Sequence, residues 1–234
     1  MSIVFALGIE AAGLTDRMKN KRQTKAAGFT VWQGDLDGRP IIVAVSGVGR
    51  AKAARATQAI IDAHRPAIVV SAGFAGGLDP AINRFGLVIP SSIACEDAEA
   101  IETSLPAIKL PEGKAHTGGI VTVDRIVHSS VEKLALGTKF SALAVDMESH
   151  SVATVCQRAK VAFMGLRVVS DPVDEKLPAD MRKLIAQQTF AGQAGAVLGS
   201  IFRRPSAVKD MFRLHQVALE ASDRLADFLE RWTK

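Results

Sequence analysis

The sequence predicts an α/β fold on a mixed sheet, and three observations carry that prediction. Short apolar runs alternate along the chain with stretches whose apolar residues recur near every 3.6 positions. Gly34-Asp35 and the following Leu36-Asp37-Gly38 read as a hairpin-type turn, so the sheet contains an antiparallel pair. The composition is 48% hydrophobic but only 5% aromatic, with no Tyr. Small and aliphatic residues suit closely packed helix-on-sheet layers, not the aromatic platforms that stack single-stranded nucleic acid.

The elements follow in order. Strands are predicted at Ile3–Leu7, Pro40–Val45, Ala67–Ala72, Gly86–Ile89, Gly119–Val123, Ala142–Val145 and Ala162–Val169, each a short apolar run bounded by turn residues. A helix is predicted over Arg50–His64, with Ala53, Ala56, Thr57, Ile60 and Ile61 inward and Pro66 ending it. A second spans Glu148–Lys160, with Val152, Val155, Cys156 and Ala159 on one face. Leu177–Ser200 reads as helical but interrupted by Gly192, Gly195 and Gly199, and Arg203-Arg204-Pro205 breaks the chain. A last helix carries Met211, Leu214, Ala218, Ala221, Leu225, Phe228 and Trp232 on one stripe. The chain is read as one domain over 1–234, with 176–216 as a helical rim or lid.

With 234 residues, the chain is long enough to bury roughly 70–75% of its unfolded surface, so no staples are needed. The net charge of +5 equals the surplus of residues 176–216, which hold seven Lys/Arg against two Asp. A second basic cluster is Arg17, Lys19, Lys21, Arg22 and Lys25. Such clusters are solvated faces or surfaces that meet phosphate or anionic lipid. Cys95 and Cys156 show no metal or disulfide spacing, which points to a reducing compartment. The N-terminus lacks a basic signal-peptide start, and no apolar stretch is long enough to span a bilayer. The expectation is a cytoplasmic protein, with peripheral contact to the inner membrane as an option and no nucleic-acid partner.

Four segments carry candidate chemistry. Ser46-Gly47-Val48-Gly49-Arg50 leaves a strand and opens a helix, imitating the dinucleotide fingerprint. It follows an internal strand, however, and no acidic residue closes the next one, so that reading is weak. Ser71 to Pro80 follows another strand with Gly73, Ala75, Gly76 and Gly77, either a tight glycine turn or an anion-binding nest. Asp146-Met147-Glu148 stands where a strand yields to a helix, at the usual ligand crevice of open α/β sheets. Arg167 to Asp171 ends another strand; Arg167 in an apolar run needs a partner, and Glu10 is a candidate. The five histidines show no ligand spacing, and His150 reads as a surface or satisfied core residue. No metal is expected.

The ordered motifs Ala6-Leu7-x-x-Glu10, Ser46 to Arg50, Gly73-Phe74-Ala75-Gly76-Gly77-Leu78, Ala144 to Glu148 and Arg167 to Asp171 resemble the nucleoside phosphorylase/nucleosidase superfamily. The resemblance spans residues 3–171. Asp146 to His150, Arg167 to Pro172 and Gly199 to Pro205 look like its hopanoid-associated phosphorylase subgroup. It implies a three-layer α/β/α domain on a mixed twisted sheet, and cleavage of a purine N-glycosidic bond. The transition state would be oxocarbenium-like. Asp171 matches the general acid toward purine N7, with Ser170 supporting it. Glu148 matches the carboxylate on the ribose hydroxyls, and Met147 would pack on the ribose. Glu10 with Arg167 matches the pair that orders the nucleophile. The backbone at Ile126 and Val127 would frame the base. Ser46, Phe74, Ala75 and Gly76 would line the nucleophile or phosphate pocket.

Phe74 stands where many relatives carry a small hydroxylated residue, and no Arg flanks that loop. This leans toward hydrolysis, while phosphate stays open as a co-substrate; no other cofactor is implied. The subgroup implies adenosylhopane as substrate, with the Leu177–Phe202 segment and Met211–Leu214 rimming a lipid channel. A methylthioadenosine/S-adenosylhomocysteine nucleosidase, a general purine nucleoside phosphorylase and a catalytically idle adenine-nucleoside binding protein remain alternatives. The resemblance also implies a homo-oligomer.

Overall fold

The computed structural model describes residues 1–26, 28–103, 115–176 and 205–232. The strands are β1 (Ser2–Phe5), β2 (Lys19–Ala26), β3 (Phe29–Leu36), β4 (Arg39–Val45), β5 (Ile68–Gly77), β6 (Leu87–Cys95), β7 (Ile101–Glu102), β8 (Ala115–Thr122), β9 (Ala142–Asp146) and β10 (Ala162–Asp171). The helices are α1 (Gly8–Arg17), α2 (Arg50–His64), α3 (Ser130–Phe140), α4 (Ser149–Ala159) and α5 (Pro205–Trp232). The glycine-interrupted segment Leu177–Phe202 lies outside the described residues, as does most of the expected 176–216 rim.

All ten strands form one mixed sheet in the order β10-β6-β8-β9-β5-β1-β4-β3-β2, with β7 beside β6. β10 also pairs with β5, so β5, β10, β6, β8 and β9 close into a ring from which β1, β4, β3 and β2 extend as an open arm. Period-2 alternation sorts side chains between two faces. Ile3, Phe5, Ile41, Val43, Val70 and Ala72 pack toward α1 and α5, joining Leu14, Ala221, Leu225 and Phe228. Val4, Ala44 and Val69 face the other way, onto Ala53, Ala56 and Ile60 of α2 and Val152 and Cys156 of α4. Helices therefore cover both faces, as three layers require.

α2 has the expected bounds and buries the expected five residues. Arg65, in the left-handed conformation, closes it with a hydrogen bond to Ile61 before Pro66. Three expectations need correction. Gly34 and Asp35 are strand residues paired with Ile41 and Pro40, and the turn is Asp37-Gly38. The basic cluster near residue 20 is a solvated face, as one of its two readings had it, but it belongs to a strand and not to a helix or loop. Lys19, Lys21, Arg22 and Lys25 lie on β2, an exposed edge strand whose charges discourage further pairing. Arg17 instead bonds Asp227 at 2.7 Å and Glu230 at 3.0 Å on α5. Finally, Gly73 to Gly77 is not a turn or a nest. It is the end of β5, paired with β10 from Arg167 to Asp171 and with β9 at Val145 and Ala144.

α5 seats on α1 at close range. Ser222 accepts the Gly13 N–H at 2.8 Å and donates to the Glu10 carbonyl at 3.1 Å. A Cβ at Gly13 would lie 2.8 Å from the Ser222 carbonyl oxygen, so only glycine allows this crossing. The C-terminal helix thereby braces the turn of α1 that carries Glu10.

Candidate active site

Glu10 sits in the first turn of α1, where its carboxylate reaches back to the chain before the helix. Oε2 accepts the N–H groups of Ala6 at 3.0 Å and Leu7 at 2.8 Å. Oε1 accepts the Phe74 N–H at 2.9 Å and so ties α1 to β5. The carboxylate lies flat on Gly73, where a Cβ would come within 2.8 Å of Oε1. Burial pushes the Glu10 carboxyl above its ordinary range, against the pull of these three backbone donors and the Arg167 charge.

Arg167 is buried, but its ion-pair partner is Asp146, not Glu10. Nε and Nη2 hold Asp146 Oδ2 at 2.9 and 2.7 Å. Nη1 donates to the carbonyls of Ser71 and Leu166, and Nη2 also to the Ser71 hydroxyl at 2.8 Å. The five N–H donors of a guanidinium thus have five bonds within the fold. Asp146 is equally committed: Oδ1 takes the Thr122 hydroxyl at 2.6 Å, and Oδ2 takes the Ser149 N–H at 2.9 Å, which caps α4. Asp146 stands at the end of β9, which pairs with β5 beside β10, whereas Glu10 is already held by three backbone donors. The Glu10–Arg167 relation that the motif suggests is electrostatic only.

Glu148 begins α4 half-buried. Its Oε1 accepts the Gly49 N–H at 2.7 Å, from a turn whose Gly49 has φ +106°. Its pKa is pushed up to about 8, first by burial and then by the charges of Asp146 and Glu10. The turn is pinned from outside: Arg50 bonds Asp97 at 2.6 Å and also pairs with Asp124.

Asp171 ends β10, buried beside Gly76. Oδ1 accepts the Ser170 hydroxyl at 2.7 Å, and Oδ2 lies 2.6 Å from Lys133 Nζ. Burial raises its pKa, partly offset by Lys133 and Ser170. Glycine at position 76 makes the approach feasible, because a Cβ there would meet Asp171 Oδ2 at 3.2 Å.

The structure therefore brings Glu10, Asp146, Glu148 and Arg167 into one electrostatic cluster, and sets Ser170 and Asp171, farther along β10, against Lys133 of α3. Met147 follows β9, Phe74 lies on β5 and Ile126 lies in the loop after β8, and all three are half-buried. Val127 and Ala75 are buried, with the Val127 side chain in the core against Leu136 and Val145. Ser46 is buried, with its hydroxyl against the Phe5 and Gly47 carbonyls at 3.2 and 2.9 Å, so its proton is held within the fold. His150 is buried with its ring nitrogen 2.9 Å from the Glu99 carbonyl. Among the described residues, no three His, Cys, Asp or Glu side chains are grouped to hold a metal ion.

Sequence reasoning missed Lys133. The available signal was Ser129-x-x-Glu132, a helix-start pattern realised here by the Glu132 N–H on Ser129 Oγ at 3.2 Å. In that helix Lys133 lies one turn before buried Leu136, on the inward face.

A mixed-sheet α/β fold with carboxyl groups gathered near strand ends has the form in which small-molecule sites of α/β proteins are built. The family model described as the phosphorylase superfamily matches residues 2–203, and the chain belongs to that superfamily. A 5'-methylthioadenosine/S-adenosylhomocysteine nucleosidase from Anoxybacillus flavithermus is 27% identical over 198 residues, covering 73% of this chain and 84% of that protein. The solved nucleosidase of the same name from Neisseria meningitidis, in complex with methylthio-immucillin-A, superposes with a TM-score of 0.71 at 24% identity, covering 98% of both chains. Futalosine hydrolase of Helicobacter pylori superposes with a TM-score of 0.74 at 22% identity, covering 99% of this chain and 96% of that one.

Proposed function

We propose that this protein hydrolyses the N-glycosidic bond of an adenine nucleoside and releases adenine. Asp171 donates a proton to N7 of the departing base. Glu148 accepts the ribose hydroxyls, and Met147 packs on the sugar. Glu10 orients the attacking water: with two N–H donors on Oε2 and one on Oε1, an acceptor site remains at Oε1. The backbone of Ile126 and Val127, with Ser170, flanks the base.

The observation that carries hydrolysis over phosphorolysis is the commitment of Arg167. All five of its donors bond Asp146, Ser71 and Leu166. The neighbouring Glu10 and Glu148 carboxyls suit a neutral water better than a phosphate anion. Membership in a family with nucleosidase relatives, together with this acid and carboxylate set, supports an enzyme over an idle binding protein.

Two readings divide on the ribose 5′ substituent. The hopanoid-subgroup likeness of Asp146 to His150 and Arg167 to Pro172 favours adenosylhopane, handled by a homo-oligomer in peripheral contact with the membrane. The curated relatives favour methylthioadenosine and S-adenosylhomocysteine. Among the described residues no helix is long and apolar enough to cross a membrane.

The test is adenine release from adenosine, methylthioadenosine and an adenosylhopane extract, each with and without phosphate. Phosphate-independent release is expected. Ribose 1-phosphate formation would overturn hydrolysis, and no adenine from any substrate would overturn the enzyme. Asp171→Asn should lower the rate at least ~100-fold.

A further inference from the structure

Lys133 is wholly buried, yet it carries an ammonium. Removing such a group from water costs several kcal/mol unless oxygens surround it. Four do: Asp171 Oδ2 at 2.6 Å and the carbonyls of Pro172 at 2.8 Å, Glu175 at 3.0 Å and Asp171 at 3.2 Å. All four belong to residues 171–175, so one side chain from α3 holds both the carboxyl group and the chain leaving β10. A hydrophobic residue would pack this helix face without any such cost, so the ammonium calls for an explanation beyond stability.

We propose that Lys133 is a positioning residue for Asp171, fixing its carboxyl and balancing the negative charge it acquires on giving its proton to the leaving base. The proposal rests on the reading of Asp171 as general acid. With Lys133 on Oδ2 and the Ser170 hydroxyl on Oδ1, the carboxyl plane is held at both oxygens, and Oδ1 carries the transferable proton. As the C1′–N9 bond breaks, its electron pair goes to the base and the Asp171 proton to N7. The resulting carboxylate stands against the Lys133 ammonium. Water adds to C1′, and the proton it releases restores the acid.

Among the described residues, the charged groups around Asp171 are few. Lys133 comes from α3. Glu175, on the loop after β10, opposes ionisation of Asp171. Glu175 is itself paired with Arg84, which also donates to the Ser170 carbonyl at 2.7 Å, and lies 3.9 Å from Arg213 of α5. Arg84 therefore blunts Glu175, and Lys133 is the positive charge in direct contact with the acid.

The experiment is a pH–rate profile of adenine release by wild type and Lys133→Met. Without the ammonium, Asp171 keeps its proton to higher pH, so the alkaline limb should move up by about one pH unit or more. At the optimum kcat should fall about 10–100-fold, with KM within about threefold, because the acid acts in the transition state. An unmoved limb, or a loss confined to KM, overturns the proposal. Should Lys133→Met not fold, Lys133→Gln, whose amide still donates to the 171–175 carbonyls without charge, takes its place, and Asp171→Asn is compared with Lys133→Gln/Asp171→Asn, in which the charge to be balanced is gone. Equal rates support the proposal; a further tenfold loss in the double variant overturns it. Wild type that frees no adenine would instead overturn the proposed function. Wild-type release that survives Asp171→Asn would overturn the acid role separately.

Discussion

Glu148→Gln should stabilise the fold, and should do so increasingly as pH rises. In the folded protein the Glu148 carboxyl titrates at about 8, against 4.5 in an unhindered glutamate. Between those values the folded state holds a proton that the unfolded chain has released. Stability contributed by this group is therefore full below pH 4.5 and is lost as pH rises through about 8. That interval sets an upper limit of about 5 kcal/mol. Glu148 is half-buried and shares its field with Asp146 and Glu10, so solvent and neighbours absorb much of it. The expected gain of the Gln variant over wild type, on going from pH 5 to pH 9, is about 1–3 kcal/mol. In a protein of this size that is roughly 3–10 °C in Tm. The assay is calorimetry of both proteins at pH 5, 7 and 9, alongside adenine release. On the proposed function the variant should lose most activity, because an amide has one acceptor oxygen where the ribose hydroxyls would meet two. A Tm difference that stays constant from pH 5 to pH 9, or shrinks, would refute the assignment of a half-buried, charge-crowded carboxyl.

Other outcomes follow from the same contacts. Arg167→Leu leaves Asp146 buried and unpaired, so chemical denaturation should show a loss of about 3–5 kcal/mol, with Arg167→Leu/Asp146→Leu regaining at least half. Gly73→Ala drives a methyl to 2.8 Å from Glu10 Oε1. It should cost about 1–3 kcal/mol in a thermal melt and depress kcat, as the Phe74 N–H contact is pried open.

Legibility in the sequence tracked how local the physics was. α2 could be read to the residue because its period and its stop lie within the segment itself. β2 could not, because Lys19 to Lys25 has almost no apolar content and is a strand only through its pairing with β3. Gly73 to Gly77 looked like a turn for the same reason. Its glycines are selected by what presses on them, Glu10 at one and Asp171 at another, and those residues are distant in the chain. The candidate carboxyls themselves were legible as acids at strand ends. Their partners were not: Arg167 chooses between Glu10 and Asp146 by register, since β5, β9 and β10 meet where Gly76 pairs with both Val145 and Asp171. Lys133 was hidden by its type, because a lysine on a short helix ordinarily faces water.

The pairing of Arg167 with Asp146 has a consequence for the rest of the site. One buried cation could have neutralised any of three nearby carboxyls. It is given to the one that caps α4 and holds β9, a structural use with every donor satisfied. Glu10 and Glu148 are then left without a cation of their own, and burial raises the pKa of each. The second buried cation, Lys133, is given to Asp171. Positive charge therefore stands behind the group proposed to give up a proton. None is spent on Glu10 and Glu148, the carboxyls proposed to meet water and sugar, whose raised pKa expresses a heightened affinity for positive charge. A fold that placed Arg167 on Glu10 would lower that affinity and leave Asp146 and the α4 cap bare at once, so stability and the proposed chemistry favour the same partner.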